Sequence, residues 1–267
     1  MPNGLIEAAV RRPLLLDAAM GTRLIGRGLD LRSDDPSLWN LSHPDVVLAL
    51  HRRDVAAGAD GLVTNTFGAS AAWLDRFGKA DLVATIIRRA VELAREAAGP
   101  DRFVLGSIGP TAASEPAVRR QVDALAEAGV DAILFETQTE ATASIALEAV
   151  RSRTPLPLFV TFFRSPTAER WRRSIDSGAD AVGMNCASPA ECMLGLGAET
   201  GSLDVPSIVQ PSGGEPGKEA EEPNRWATFV SEALRLGVRF VGGCCGTTEA
   251  HVAALRSALD SEVPNAV

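Results

Sequence analysis

The chain has 267 residues, 46% hydrophobic and 22% charged, which is ordinary for a globular protein and enough to bury a sizeable core. Its net charge is -8 at pH 7 and its basic residues are scattered, so the basic stripe of a nucleic-acid binder is absent. No apolar run approaches the length of a membrane span, and the first residues lack a basic leader-like region. The sequence therefore predicts a cytoplasmic protein with small-molecule partners and no membrane role.

Leu14-Leu15-Leu16-Asp17 is a continuous apolar run ending on a carboxylate, as expected of a parallel strand buried on both faces. Residues 20–44 carry Gly21, Gly26, Gly28, Pro36 and Pro44 without a clear period and read as a long loop with one short helix. A helix over 44–57 follows, closed by Gly58. Strands are then predicted over 61–66, 103–108, 132–136, 158–162, 181–185, 207–210 and 239–242. Helical stretches follow them at 80–97, 115–128, 140–151, 167–177, 189–199, 224–236 and 248–259. With the Leu14 strand these make eight strand–helix units. Right-handed parallel crossovers repeated eight times lead to a closed (β/α)8 barrel of TIM type, one domain over residues 1–267.

A partial repeat supports this order. Gly-(Ala/Val)-Asp recurs at Gly58-Ala59-Asp60, Gly129-Val130-Asp131 and Gly178-Ala179-Asp180, with a looser copy at Gly237-Val238-Arg239. Each falls where a helix should end and a strand begin, the place for a left-handed glycine cap. The polar stretch 212–224, after the seventh strand, would lie over the active-site end, either as a mobile cover or as a merely solvated loop.

The most informative segment is Val241-Gly242-Gly243-Cys244-Cys245-Gly246. Successive side chains leave a strand on opposite faces, so two adjacent sulfurs reach one point only where a strand ends. The flanking glycines leave the backbone free to make that turn. Two thiolates leave a zinc ion short of ligands, and the remaining candidates are Cys186, Cys192, His43, His51 and His251. Cys186 is favoured because Val182-Gly183-Met184-Asn185-Cys186 repeats the pattern of an apolar run stopping at a cysteine. Cys192 falls inside a predicted helix, where a buried thiol is the usual role. Core thiols or a disulfide are the alternative, weakened by the strain of a ring between adjacent cysteines and by a reducing compartment.

In a barrel of this type catalysis sits at the carboxyl ends of the strands. Those ends read Asp17, Thr64-Asn65-Thr66, Ser107, Glu136-Thr137, Thr161, Asn185-Cys186, Gln210 and Cys244-Cys245, polar at nearly every position. Three thiolates leave one tetrahedral position open, and so electron-rich a zinc site favours a substrate thiolate over a hydroxide. Asp17 and Glu136 could hold an ammonium group at the same mouth, or serve as a loop cap and an arginine partner.

Six segments resemble the homocysteine S-methyltransferase family, zinc-dependent (β/α)8 barrels that methylate homocysteine to methionine. They are Leu16-Asp17-Ala18-Ala19-Met20-Gly21-Thr22, Thr64-Asn65-Thr66-Phe67-Gly68, Ser107-Ile108-Gly109-Pro110-Thr111, Phe135-Glu136-Thr137, Gly183-Met184-Asn185-Cys186 and Gly242-Gly243-Cys244-Cys245-Gly246-Thr247-Thr248. Several are similar to the homocysteine-binding module of cobalamin-dependent methionine synthase. The resemblance implies Cys186, Cys244 and Cys245 as zinc ligands, with the homocysteine thiolate in the fourth position. It further implies Asp17 and Glu136 on the substrate's amino group, and backbone N–H groups beside Ala18 and Ala19 on its carboxylate. The sequence departs from the family at Ala18, where glycine is usual, at Ser212, where asparagine is usual, and after Phe163, where relatives carry a longer excursion.

Betaine-using relatives enclose their donor with aromatic rings that include tyrosine. This chain has no tyrosine and only Trp39 in prospect, which disfavours betaine. Leu38-Trp39 resembles a segment of relatives that use S-methylmethionine or S-adenosylmethionine, the favoured donors. The Thr64 to Gly68 segment suggests the alternative, methylcobalamin on a separate corrinoid protein. Two further readings are a zinc-binding barrel with a regulatory role and no catalysis, and methylation of a thiol other than homocysteine.

Overall fold

The computed structural model describes residues 4–110, 114–163, 168–196, 203–214 and 220–262. Eight parallel strands form the barrel: β1 (Leu14–Leu15), β2 (Gly61–Val63), β3 (Phe103–Ile108), β4 (Ala132–Gln138), β5 (Leu158–Phe163), β6 (Ala181–Asn185), β7 (Ser207–Gln210) and β8 (Phe240–Val241). They are hydrogen-bonded in the order β1-β8-β7-β6-β5-β4-β3-β2, and a single parallel bridge between Leu16 and Gly61 joins the two ends. The expected (β/α)8 architecture is borne out.

The two faces of each strand explain the continuous apolar runs. Leu14, Leu16, Leu105, Leu134, Phe159, Ile208 and Phe240 form one buried cluster in the barrel interior. Leu15, Leu62, Val104, Ile133, Val160, Val182 and Val209 point the other way and pack under the helices. Two residues further along the inward faces the chemistry changes: Ser107 follows Leu105, Glu136 follows Leu134, Thr161 follows Phe159 and Gln210 follows Ile208. The barrel is thus apolar at its waist and polar at its mouth, and that step in polarity positions the site.

Around the sheet lie α1 (Gly4–Arg11), α2 (Met20–Ile25), α3 (Trp39–Ser42), α4 (Pro44–Ala56), α5 (Ala71–Leu74), α6 (Val83–Ala98), α7 (Glu115–Ala128), α8 (Glu140–Val150), α9 (Ala168–Asp176), α10 (Pro189–Leu196), α11 (Pro223–Arg235) and α12 (Glu249–Glu262). Helix α1 has no counterpart among the predicted elements. Its Leu5 and Ala9 lie one turn apart and share the interior cluster, so the helix closes the amino end of the barrel. The predicted loop over 20–44 holds two short helices, α2 and α3, and a 3-10 turn at Pro36–Leu38. Strand β2 stops at Val63 rather than residue 66, because the Thr66 N–H turns back to the Thr64 carbonyl at 2.8 Å. Thr111, Arg164, Thr167, residues 197–199 and residues 215–219 of the predicted cover lie outside the described residues.

All four repeat glycines take positive φ: 100° at Gly58, 88° at Gly129, 98° at Gly178 and 88° at Gly237. The aspartates of the first three copies accept backbone N–H groups of neighbouring strands, from Leu15 at 2.9 Å, Val104 at 2.7 Å and Leu158 at 2.8 Å. Among the described residues, no helix is long and apolar enough to cross a membrane.

Candidate metal centre and substrate cavity

Strand β7 runs between β6 and β8, and its continuation past Gln210 holds both cysteine loops. The Cys186 N–H donates to the Gln210 carbonyl at 3.2 Å and the Ser212 N–H to the Ala187 carbonyl at 2.8 Å. On the other side, the Cys244 N–H donates to the Pro211 carbonyl and the Gly213 N–H to the Cys245 carbonyl, both at 2.8 Å. Cys186 sits at φ 57°, in the left-handed region that a side chain disfavours. That turn carries its sulfur back across β7. Gly243 admits no side chain, since a Cβ there would lie 2.2 Å from Thr247 Oγ1. Thr247 Oγ1 donates to the Cys244 carbonyl at 2.7 Å and accepts the Ala19 N–H at 3.0 Å, tying the cysteine loop to the end of β1.

The sulfurs of Cys186 and Cys244 lie 2.6 Å apart and those of Cys186 and Cys245 3.8 Å apart. All three fit within 4.8 Å of one another, and all are free, partly buried thiols. Hydrogen bonds from Cys186 and Cys244 push the Cys245 pKa down to about 3, while Cys244 is pushed well up by its neighbouring thiols and burial, and Cys186 up to about 12. Three soft donors converging at a barrel mouth, with room for a fourth ligand, suit zinc. The other candidates lie apart from them. Cys192 lies on the buried face of α10 with its sulfur 3.9 Å from the Ala187 carbonyl. His43 stacks on Trp39 at 4.1 Å, and the His251 ring faces the Glu221 carbonyl at 3.0 Å.

The three cysteines share a cavity of about 270 Å³ with Asp17, Glu136 and Gln210. Glu136 accepts the Ser107 hydroxyl at 2.8 Å and a hydrogen bond from the Gln210 side chain. Burial pushes its carboxyl up to about 7 in spite of both bonds, which favour the charged form. Gln210 Oε1 is left without a partner. Asp17 accepts the Val63 N–H at 3.0 Å. Burial, reinforced by Asp54, holds its carboxyl well above the usual range.

The turn that carries Asp17 is held from beneath by a buried ion pair. Arg23 contacts Asp54 at 2.6 Å and donates to the carbonyls of Ala18 at 3.1 Å and Ala19 at 2.9 Å. The Ala18 N–H in turn bonds the Asp54 carboxylate. The N–H groups of Ala18 and Ala19 are thus already engaged, with Asp54 and Thr247 respectively. Just beyond them Met20 and Gly21 line the cavity in the first turn of α2, where N–H groups lack intrahelical acceptors. Asp17, His51 and Asp54 also come within 4.8 Å of one another, but Arg23 occupies Asp54, which makes this a buried charge network. Trp39 is 6% exposed and packs in a separate cluster; Phe67 is the aromatic residue lining the cavity.

Several residues already picked out by their strand-end or motif positions shape the site through contacts that the sequence does not show. Asn185 accepts the Thr137 N–H at 3.1 Å and donates to its hydroxyl at 2.8 Å, fixing Thr137 at φ 59°. Thr22 accepts the Gly246 N–H at 3.2 Å and hydrogen bonds to Cys245.

A parallel barrel with three thiols and two carboxylates converging at its carboxyl mouth belongs to the barrel enzymes that work at that face. The sequence profile of the homocysteine S-methyltransferase family matches residues 14–259, and the chain belongs to that family. It is 32% identical to the methionine synthase of Mycobacterium tuberculosis over 96% of this chain but only 25% of that protein. The chain thus spans about a quarter of the length of that relative. It is 27% identical to the S-methylmethionine–homocysteine S-methyltransferase BHMT2 of Pongo abelii, over 84% of this chain and 73% of that one. Among solved structures, the metallated form of the homocysteine methyltransferase MmuM from Escherichia coli superposes with a TM-score of 0.79 and 26% identity, covering 95% of this chain and 99% of that one.

Proposed function

We propose that this chain, over residues 1–267, is a zinc-dependent homocysteine-binding barrel that makes methionine with a sulfonium donor, S-methylmethionine or S-adenosylmethionine. The observation that carries this is the meeting of Cys186, Cys244 and Cys245 in the one cavity that also holds Asp17 and Glu136. Zinc on the three thiolates would lower the pKa of the substrate thiol and leave its sulfur nucleophilic. Free thiols suit the reducing cytoplasm.

The chain's own residues orient the substrate. Asp17, Glu136 and the unpartnered Gln210 Oε1 offer acceptors to the homocysteine ammonium. An arriving ammonium would draw Glu136 into its charged form, since an opposite charge lowers a carboxyl pKa. The backbone of Met20 and Gly21, beside Ala18 and Ala19, offers N–H groups to the substrate carboxylate. Transfer is an in-line displacement. A bond forms between the homocysteine sulfur and the methyl carbon while the donor's S–CH3 bond breaks, and its electron pair leaves with the thioether. The thiolate and sulfonium charges cancel.

Similarity to the Pongo abelii enzyme, whose donor is S-methylmethionine, supports the sulfonium donor, and the burial of Trp39 leaves betaine without a cage. The likeness to methionine synthase favours a second reading, with methyl supplied by methylcobalamin on a separate corrinoid protein. The test is methionine formation by reduced, zinc-loaded protein given homocysteine and S-methylmethionine without corrinoid. Turnover that vanishes in the Cys245→Ala protein is expected. A folded protein with one zinc and no turnover would point to the corrinoid partner, or to a barrel without catalysis. Glu136→Gln is expected to keep its zinc and raise the homocysteine KM about tenfold, the usual effect of losing a charged hydrogen-bond partner.

A further inference from the structure

With homocysteine on the thiolates, Asp17 and Glu136, one part of the cavity wall left free is built by Asp35, Pro36, Asn65, Phe67 and Gly68. Asp35 is 5% exposed, and its carboxylate accepts only from neutral groups. These are the N–H and hydroxyl of Ser37 and, at 2.7 Å, the indole N–H of Trp73. Among the described residues no lysine, arginine or histidine pairs with it. A buried carboxylate without a countercharge is unfavourable, and a cation entering the cavity would relieve it. Gly68 allows the close packing here, since a Cβ at that position would lie 2.6 Å from Asp35 Oδ2.

Phe67 is 41% exposed, and its ring packs over Gly109 in the same wall. The wall is braced from behind. The Asn65 amide donates to the Pro36 carbonyl at 2.6 Å, and the Asn40 amide donates to the carbonyls of Ser37 at 2.7 Å and Asn65 at 2.8 Å.

We infer that Asp35 and Phe67 form the methyl-donor subsite and select a sulfonium cation, the carboxylate facing its charge and the ring face its methyl groups. This rests on the sulfonium reading above and names the residues that would enforce it. The donor's charge disappears as its methyl group leaves, so attraction to Asp35 is strongest before the transition state. Such a contact lowers KM and does not raise kcat.

Asp35→Asn keeps an oxygen for Ser37 and removes the charge; Phe67→Leu keeps bulk and removes the ring. In Asp35→Asn the KM for S-methylmethionine should rise roughly tenfold or more, with kcat undiminished and the homocysteine KM unchanged. Calorimetric binding of S-methylmethionine to the metal-free protein should weaken by the same factor. Phe67→Leu should move donor KM in the same direction by a smaller factor, which keeps the idea testable if Asp35→Asn folds poorly. Unchanged donor KM and affinity in both variants would reduce Asp35 to a cap of the 36–38 turn and overturn the inference. So would a homocysteine KM that rises in step. A wild-type protein that neither binds nor uses a sulfonium would instead overturn the functional reading, and the inference with it.

Discussion

His51, on α4, is fully buried with both ring nitrogens unbonded, and its Nδ1 lies 3.8 Å from Asp17 Oδ2. Burial, with the Arg23 charge adding, pushes its pKa down from 6.5 to about 3. An unfolded chain therefore takes up a proton between those values that the native state refuses. The contribution is complete above pH 6.5 and is lost as the pH falls toward 3. Asp17, Asp54 and Glu136 are shifted upward and act in the opposite sense, binding protons more readily in the native state. A single substitution separates the terms. His51→Leu is expected to lose less stability than wild type between about pH 7 and pH 4 in urea titrations. At neutral pH the two should agree within about 1.5 kcal/mol, since an unbonded buried ring is replaced by an apolar group. Parallel pH profiles would show that the ring does not titrate on unfolding.

Between helix and strand the same small clamp is built three times. Arg256, Arg95 and Arg151 each donate to the carbonyl of a repeat glycine, Gly58, Gly129 and Gly178, and to the aspartate two residues on. Each aspartate also takes a backbone N–H from the neighbouring strand, so one carboxylate joins helix, turn and sheet. In the fourth copy Arg239 replaces the aspartate and cannot accept. Asp131→Ala is expected to cost about 2 kcal/mol in urea unfolding, removing the charged partner of Arg95 and the acceptor of the Val104 N–H. Arg239→Ala should cost under about 0.5 kcal/mol. Equal losses at the two positions would dismiss the clamp. The clamps explain why the barrel was legible in the sequence: glycine caps and doubly apolar strands are local patterns. Helix α1 was missed because its role depends on where Leu5 and Ala9 land at the foot of a barrel formed by the whole chain. The same holds within the site. The cysteines and strand-end carboxylates announced themselves by position, whereas Asp54 meets Arg23 and Asn185 meets Thr137 only through tertiary folding.

At the scale of the whole molecule, the fold and the candidate metal centre are built from different residues. Cys186, Cys244 and Cys245 belong to none of the buried apolar clusters, and the backbone that positions them is held by hydrogen bonds to the end of β7. A domain whose metal ligands supply its core unfolds when the metal is removed; this barrel has its core elsewhere. Zinc bound only to the native state would still stabilise it by mass action, about 4 kcal/mol at a thousandfold excess over Kd. A chelator should therefore leave the far-ultraviolet circular dichroism unchanged. It should also lower the melting temperature by on the order of 10 °C and abolish methionine formation. The Cys245→Ala protein should melt near the chelated wild type and ignore the chelator. Loss of helical signal on chelation would mean that the metal organises the barrel itself, and that the hydrogen bonds from β7 do not suffice to hold its mouth.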